Sequence, residues 1–373
     1  MMTPTSKSIC IVFAALFFAG VAFAHEPAGP EFAVTNAVPL PFIVETGGPV
    51  PAPQPVRLAP GSRASGQGFW KFVAARELAP VPVAAQPKVV GAHGTIVVDK
   101  SAEVAYWGLQ GVGWIGFSNK LSASWVVAGN PAFAAGNLHG ADLLPRGKKP
   151  PLIAAADNVA GKIYLTDTTF QDVETLTRPG FGAYATNKTF APTDVAFTSL
   201  KELWIVDGYG QQRFLSADLL PLRWREEMHG GGAFSKTLHG VTYDQAHDDL
   251  LFSARPEGQL KRLGRKSLRA KDIMGLPAGT LLCDVDLWGD YCLAACLDGA
   301  NKTPGPLYII NLKRRAIVST IKPKEDLGYA DAQHLHDAAW YVTGKGRDRE
   351  VYLLFSNWNP GGLGALKLVN LPD

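Results

Sequence analysis

The sequence predicts an all-β fold, a six-bladed β-propeller with four-stranded blades. Six segments of the 373-residue chain share one pattern. In each, a small or polar doublet opens a short apolar strand, and a second strand with Tyr, Trp or Leu follows a polar turn. The second residues of the doublets are 46, 54, 46, 44 and 53 positions apart, which leaves room for two further short strands per repeat. Helical periodicity is weak, and only SLRAKDIM (267–274) reads as a short helix.

Residues 1–24 are predicted to be a signal peptide. Lys7 precedes the apolar run ICIVFAALFFAGVAF (9–23), and AFA before His25 is a small-x-small cleavage site. The run is too short to be a convincing membrane span, and Cys10 lies inside it rather than at a lipoprotein cleavage point. We therefore expect a secreted or periplasmic protein with no membrane contact after cleavage. A retained N-terminal anchor is the alternative.

The next segment, residues 25–68, is rich in Pro, Gly and Ala and has no sustained period. It is predicted to be an extended arm or linker. Residues 69–373 then form the propeller, a single large domain. Within it, FWKFVAARELAPVPV (69–83) is expected to supply an outer strand that closes the ring.

The charge of the chain argues against nucleic-acid binding, and its cysteines allow at most one disulfide. The net charge is +3, and the basic stretches 146–149 and 261–271 are expected to be solvated turns, so we predict no nucleic-acid binding. After signal removal Cys283, Cys292 and Cys296 remain. Cys292 and Cys296 are too far apart on one strand to form a disulfide. Two alternatives remain for these cysteines: a disulfide between Cys283 and Cys296, or three buried thiols.

The doublets place six residues at equivalent positions of the six blades. We call these residues the mouth ring: His93, His139, Thr193, His239, Cys283 and His336. The first strand of a propeller blade lines the central channel, so the mouth ring is expected to surround one end of that channel.

Three histidines of this ring come from alternate blades, about 120° apart. His139, His239 and His336 would leave one coordination position open, which is the arrangement of a catalytic zinc site. The alternative is that HG is a remnant of the repeat itself. His93 favours that alternative, because it occupies the same position in the first blade and breaks the threefold pattern.

Several motifs resemble a known family. PTDVAFTSLKELWIVDGYGQQRF (192–214), LHGVTYDQAHDDLLFSARPEGQ (238–259) and HLHDAAW (334–340) are similar, in order and spacing, to the NHL-type repeats of peptidyl-α-hydroxyglycine α-amidating lyases. The resemblance covers about residues 90–365.

The resemblance implies roles for individual residues. His139, His239 and His336 match the zinc ligands, and Tyr209 matches the base that removes the substrate's hydroxyl proton. Arg255 matches an arginine that holds substrate and stabilises charge. The Asp337 carboxylate and the Ala141 carbonyl match ligands of a structural calcium ion. The implied reaction splits an α-hydroxyamide into an amide and an aldehyde.

Departures from the family pattern bear on the substrate. Residues 104–125 lack the second active-site arginine, His334 replaces a thioether, and Gln259 replaces an arginine. Gly210 replaces a cysteine that often follows the DGY motif. The missing arginine leaves recognition of a substrate carboxylate open.

Two functions therefore compete. The first is a secreted zinc-dependent carbon–nitrogen lyase, a monomer that acts on a small-molecule or peptide substrate. The second is a non-enzymatic propeller that binds a protein or a glycan at its channel mouth. A lactonase-like hydrolase is a weaker third reading, because that class favours calcium held by Glu, Asn and Asp, whereas His dominates the doublets here.

Overall fold

A computed structural model describes residues 37–231 and 234–371. The predicted signal peptide, 1–24, and the beginning of the predicted arm, 25–36, lie outside these residues. Six sheets in these residues, each built on four antiparallel strands, confirm the predicted six-bladed propeller with four-stranded blades. Helical structure in the described ranges amounts to α1 (Ala132–Ala135) and four short 3-10 segments: Gln86–Gly91, Gly182–Thr186, Ala300–Lys302 and Gly346–Asp348.

The first three blades are formed by consecutive strands. Blade one contains β4 (Ile96–Asp99), β5 (Val104–Leu109), β6 (Gly113–Ser118) and β7 (Ala123–Val126). Blade two contains β8 (Leu138–Arg146), β9 (Lys149–Asp157), β10 (Lys162–Asp167) and β11 (Glu174–Thr177). Blade three contains β12 (Asp194–Ser199), β13 (Glu202–Asp207), β14 (Arg213–Leu219) and β15 (Leu222–Gly230).

Two of the other three blades recruit strands from the N-terminal part of the chain. Blade four contains β16 (Leu238–Asp244), β17 (Asp249–Ala254), β18 (Gln259–Gly264), β19 (Ala270–Gly275) and, in parallel, β1 (Val38–Pro39). Blade five contains β20 (Leu281–Trp288), β21 (Tyr291–Asp298), β22 (Leu307–Asn311) and β23 (Ala316–Ile321). Blade six contains β24 (His334–Thr343), β25 (Glu350–Trp358), β26 (Gly362–Val369), β3 (Trp70–Ala74) and β2 (Ala64–Gln67).

Two strands that precede blade one in the sequence extend the sheet of blade six beyond β26. Strand β3 pairs antiparallel with β26, which confirms the outer strand predicted within 69–83. Strand β2 pairs with β3, so the last residues of the predicted arm are a strand. Its sequence ASGQ shows no alternation of apolar residues, which is why the sequence did not indicate it.

The predicted helix at 267–274 is wrong. Residues Ala270–Gly275 form β19, in which Met274 pairs with Leu260 of β18 and is buried. The blade needs an outer strand here, and that long-range pairing outweighs the weak local helix propensity.

The core is divided among the interfaces between blades. The described residues form six apolar clusters, and each joins two adjacent blades. Between blades five and six, for example, the Trp340 ring lies 5.5 Å from that of Trp70 and 5.3 Å from that of Trp288. Each first strand also contacts the first strands of its two neighbours, which closes the circle around the channel. Because apolar residues fill the interfaces, polar residues on the first strands are left to line the channel.

The described part of the arm, residues 37–68, lies against blades four to six. The Ile43 amide donates to the Ile317 carbonyl at 2.9 Å. The buried Glu45 carboxylate accepts hydrogen bonds from Trp70 Nε1, the Tyr291 hydroxyl and Asn311 Nδ2. Among the described residues, no helix is both long enough and apolar enough to cross a bilayer.

Candidate metal centre

The mouth ring forms as the repeat predicts, and β-bulges position most of it. His139, His239, Cys283 and His336 each lie at a register irregularity near the start of the first strand of their blade. A bulge adds a residue to one strand and redirects its side chain. Bulges thus position the side chains of four of the six mouth-ring residues.

The three histidines predicted as zinc ligands face one another across the channel. Their ring centroids are 4.9 Å apart for His139–His239, 4.6 Å for His139–His336 and 4.8 Å for His239–His336. All three side chains are at most 2 % exposed. Residues separated by about one hundred positions in sequence thus form a nearly equilateral triangle.

Two of these rings are held by backbone carbonyls. His139 Nδ1 lies 2.7 Å from the Thr193 carbonyl, and His239 Nδ1 lies 3.0 Å from the Cys283 carbonyl. A carbonyl only accepts hydrogen bonds, so Nδ1 carries the proton in both rings and Nε2 carries the lone pair. A hydrogen bond from Nδ1–H to a carbonyl, with Nε2 turned toward the metal, is how metal-ligating histidines are usually oriented.

The glycines after these histidines permit the close approach of adjacent blades. A Cβ atom on Gly140 would lie 2.3 Å from the Thr193 carbonyl oxygen and 2.4 Å from Asp194 Oδ1. A Cβ atom on Gly240 would lie 2.5 Å from Asp284 Oδ1. These two HG doublets therefore have a steric basis, since Gly140 and Gly240 pack directly against the next blade.

Tyr209 is presented by the turn between β13 and β14. The Asp207 carboxylate organises that turn by accepting hydrogen bonds from the amides of Ala191 and Gln211 and from the Tyr184 hydroxyl. The Tyr209 hydroxyl lies 2.9 Å from His239 Nε2 and 3.3 Å from His139 Nε2. It therefore sits between the two nitrogens that face the channel.

Arg255, one residue after β17, completes this group. Its Nη1 donates to the Tyr209 hydroxyl oxygen at 2.9 Å, and its guanidinium carbon lies 5.3 Å from the Tyr209 ring centroid. Arg255 is 6 % exposed and also hydrogen-bonds the Cys283 thiol. The structure thus brings together Tyr209, Arg255, His139 and His239.

The electrostatics of the site favour neutral ligands. Burial lowers the pKa of His139 to about 3, so its imidazole is neutral and able to coordinate a metal. Burial also raises the pKa of the Tyr209 hydroxyl, while Arg255 acts in the opposite direction. Burial raises the pKa of the Cys283 thiol to about 12. Neutral imidazoles with fixed tautomers are a donor set that suits zinc.

Two groups of potential ligand atoms lie close together in the mouth ring, one of which includes His93 and the other Cys283. The ligand atoms of His93, His139 and His336 lie within 4.8 Å of one another, and so do those of His239, Cys283 and His336. The predicted triangle shares two histidines with each group. His334 lies outside the ring, with Nδ1 3.0 Å from Asp298 Oδ1. Within the described residues, the three cysteines Cys283, Cys292 and Cys296 are buried free thiols.

Asp337 and Ala141, predicted as calcium ligands, line a cavity further along the same first strands. We call it the acidic cavity; its volume is about 210 Å³, and it also contains Asp142, Asp194, Asp284 and Asp286. Asp337 Oδ2 accepts a hydrogen bond of 3.1 Å from the Ile96 amide. Sequence reasoning missed Asp194 and Asp284, although both stand at the same repeat position as Asp337, directly after a mouth-ring residue.

Burial and mutual repulsion change the ionisation of these carboxyls. Burial raises the pKa of Asp142 to about 6 and that of Asp284 to about 7. It raises the pKa of Asp337 as well, and the nearby Asp284 adds to the effect. So many buried carboxyl groups in one place are stabilised either by protons or by a cation.

Comparisons with known proteins identify the fold. No protein-family description matches the sequence, and no curated protein matches it. A gluconolactonase from Xanthomonas campestris is similar in structure, with a TM-score of 0.54, 11% identity, and coverage of 84% of this chain and 99% of that one. The fold is a β-propeller. A luciferin-regenerating enzyme gives a TM-score of 0.52 at 9% identity, covering 80% of this chain and 95% of that one. A chain of the nidogen/laminin complex gives 0.51 at 12% identity, covering 74% and 97%.

Proposed function

We propose that this propeller is a zinc-dependent carbon–nitrogen lyase that cleaves an α-hydroxyamide, with His139, His239 and His336 as metal ligands. One observation carries the proposal. The Tyr209 hydroxyl lies against the channel-facing nitrogens of two of these histidines, and Arg255 donates a hydrogen bond to it. A cation and two of the three proposed metal ligands therefore lie within hydrogen-bond distance of the oxygen atom of the proposed base.

The chemistry fits these side chains. In the substrate R–CO–NH–CH(OH)–R′, the hydroxyl proton passes to Tyr209, the C–O bond becomes a carbonyl, and the C–N bond breaks. The electron pair of that bond stays on nitrogen, which takes a proton back from Tyr209, so the products are an amide and an aldehyde. When bound, zinc supplies Lewis acidity that lowers the pKa of a nearby hydroxyl group.

Tyr209 must lose its proton to act as the base. A phenol normally titrates near 10, and burial raises the pKa of Tyr209 further. Arg255 counteracts burial, because the guanidinium stabilises the phenolate through its hydrogen bond and its charge. In this proposal Arg255 therefore acts on the base as well as on the substrate.

A structural calcium ion in the acidic cavity is part of the proposal. Asp337 and Ala141 line that cavity, and a carboxylate and a backbone carbonyl are oxygen ligands of the kind that calcium prefers. Asp194 and Asp284 would add two carboxylates and offset the charge of the ion. We further propose that the protein is secreted or periplasmic, on the basis of its N-terminal sequence, and that it acts as a monomer.

The proposal is tested on protein purified without a histidine tag. We expect stoichiometric zinc and release of glyoxylate from an α-hydroxyglycine peptide, both lost in His139→Ala. Tyr209→Phe should keep the metal and lose the activity. Zinc without turnover of this peptide would limit the proposal to a zinc enzyme that acts on another α-hydroxyamide.

The second candidate is a non-enzymatic propeller that binds a protein or glycan at its channel mouth. The fold alone allows it, since the similar structures include a chain from the nidogen/laminin complex as well as enzymes. A folded protein with no zinc, and with metal content unchanged by His139→Ala, would favour this candidate over the lyase.

A further inference from the structure

We propose that His93 is a fourth histidine ligand of the same metal, so that the centre has more than the three protein ligands of an open tetrahedral site. This inference rests on the proposed function, because it assumes that a metal ion occupies the mouth ring. It concerns a residue for which neither the repeat pattern nor the family resemblance gave a role.

The position of His93 is the first support. It precedes β4 in blade one, between the blades that carry His139 and His336. Its ring centroid lies 4.6 Å from that of His139 and 4.2 Å from that of His336. The three ligand atoms lie within 4.8 Å of one another, which is close enough for one ion to bind all of them.

The orientation of the ring is the second support. His93 Nδ1 lies 3.0 Å from the amide nitrogen Nδ2 of Asn137. The Asn137 side chain is held in turn by Asn158 Oδ1 at 2.8 Å, and its backbone amide by Asp157 Oδ1 at 3.3 Å. Histidine ligands are commonly oriented through the nitrogen that does not bind the metal.

The same asparagine can support the metal-binding tautomer. Asn137 is 5 % exposed, and its Oδ1 atom has no hydrogen-bond partner among the described residues. Rotation of the Asn137 and Asn158 amides together, each by half a turn, presents Asn137 Oδ1 to a proton on His93 Nδ1 and to Asn158 Nδ2, so the contact between the two asparagines is kept and the lone pair on His93 Nε2 is left for a metal. A buried oxygen that lacks a donor thereby gains one.

The ring spacing indicates the coordination geometry. With a metal–nitrogen distance of about 2.1 Å, imidazole centroids should be about 5.3 Å apart at tetrahedral angles and about 4.6 Å apart at right angles. The His93 distances of 4.2 and 4.6 Å match right angles. A five- or six-coordinate ion fits such angles, and nickel, cobalt and copper adopt this geometry more readily than structural zinc does.

The experiment titrates metal-stripped, untagged protein separately with Zn²⁺ and with Co²⁺. In the wild type we expect one tight equivalent and the weak visible absorption of cobalt with more than four ligands. In His93→Ala we expect at least about tenfold weaker Zn²⁺ binding and a stronger visible absorption, as the coordination number falls. His247→Ala removes a surface histidine, which contacts Asp244, and should change neither quantity.

The outcomes separate this inference from the proposed function. If His93→Ala binds Zn²⁺ as the wild type does and gives the same cobalt spectrum, His93 is not a ligand, while the zinc enzyme stands. If the folded wild type binds neither metal, both proposals fail. If His93→Ala has a lower melting temperature than the wild type, His93→Gln takes its place, because glutamine keeps a polar contact for Asn137. Weaker Zn²⁺ binding and a stronger cobalt absorption in His93→Gln would then support the inference, and unchanged values would overturn it.

Discussion

Arg255 Nη1 donates a hydrogen bond of 2.9 Å to the Tyr209 hydroxyl oxygen, although the two residues are 46 positions apart and belong to different blades. The same hydroxyl lies 2.9 Å from His239 Nε2. The Tyr209 hydroxyl oxygen therefore contacts both the Arg255 guanidinium and the His239 imidazole at the channel mouth. The first two predictions concern this oxygen atom.

Tyr209→Phe should reduce turnover of an α-hydroxyamide by about 10²–10⁴-fold, which is the usual contribution of a positioned acid–base group. The substitution removes one oxygen atom and leaves all three histidines in place, so zinc content should be unchanged. Glyoxylate release and metal analysis on the same preparation check both parts. Full activity in Tyr209→Phe would remove Tyr209 from the mechanism.

Arg255→Met should move the pH–rate profile to higher pH. Arg255 lowers the pKa of Tyr209 against the effect of burial, and the base acts in its deprotonated form. Without the guanidinium the phenolate forms at higher pH, so the rising limb of the profile shifts upward. Arg255→Lys keeps the charge and should shift the limb less. If Arg255→Met changes only the KM and leaves the limb in place, the arginine binds substrate without acting on Tyr209.

Gly140→Ala should weaken both metal binding and folding. The added methyl group would lie 2.3 Å from the Thr193 carbonyl oxygen, which is the acceptor that orients His139. The strand must shift, and we expect a melting temperature lower by several degrees together with weaker Zn²⁺ binding. Gly180→Ala is the matched control, because no atom lies within 4 Å of its added Cβ. Equal behaviour of the two variants would contradict the steric account of the HG doublet.

The acidic cavity predicts a pH-dependent stability. In the folded protein Asp142 has a pKa of about 6 and Asp284 of about 7, above the ordinary value near 4. Between about pH 4 and these raised pKa values, Asp142 and Asp284 are protonated in the folded state, whereas the same carboxyl groups have lost their protons in the unfolded chain. The stabilising contribution is therefore complete below about pH 4 and is lost as the pH rises through the folded-state pKa.

Thermal unfolding of the metal-free protein measures this effect. The melting temperature should fall by several degrees from about pH 5 to about pH 8, and added Ca²⁺ should restore it at the higher pH. Asp284→Asn should flatten the profile, since the amide does not titrate. A flat profile in the wild type would show that these carboxyl groups keep ordinary pKa values.

The number of blades and the residues of the mouth ring could be predicted from the sequence, because both follow from the interval between repeats. Repeat-equivalent residues lie around the propeller axis whatever the details of packing, so the spacing predicted that His139, His239 and His336 lie near one another, and their ring centroids are 4.6 to 4.9 Å apart. The roles of Tyr209 and Arg255 came from the resemblance alone, and the structure now shows that the two side chains are in contact.

Other features depend on packing that a single sequence does not show. The bulge at His336 and the hydrogen bond from His139 to Thr193 arise between strands and blades, not along the chain. Strand β19 forms where local propensity indicated a helix, because β18 offered an edge to pair with. Asp284 follows Cys283 as Asp337 follows His336, yet only the closed ring shows that both carboxylates share one cavity.

The central claim is that the mouth ring is a metal centre. Metal analysis of untagged, folded protein after dialysis, compared with His139→Ala and with the surface variant His247→Ala, tests it most directly. The account predicts one equivalent of zinc in the wild type and in His247→Ala, and a loss of most of it in His139→Ala. Equal metal content in all three proteins, or none in any of them, would contradict it.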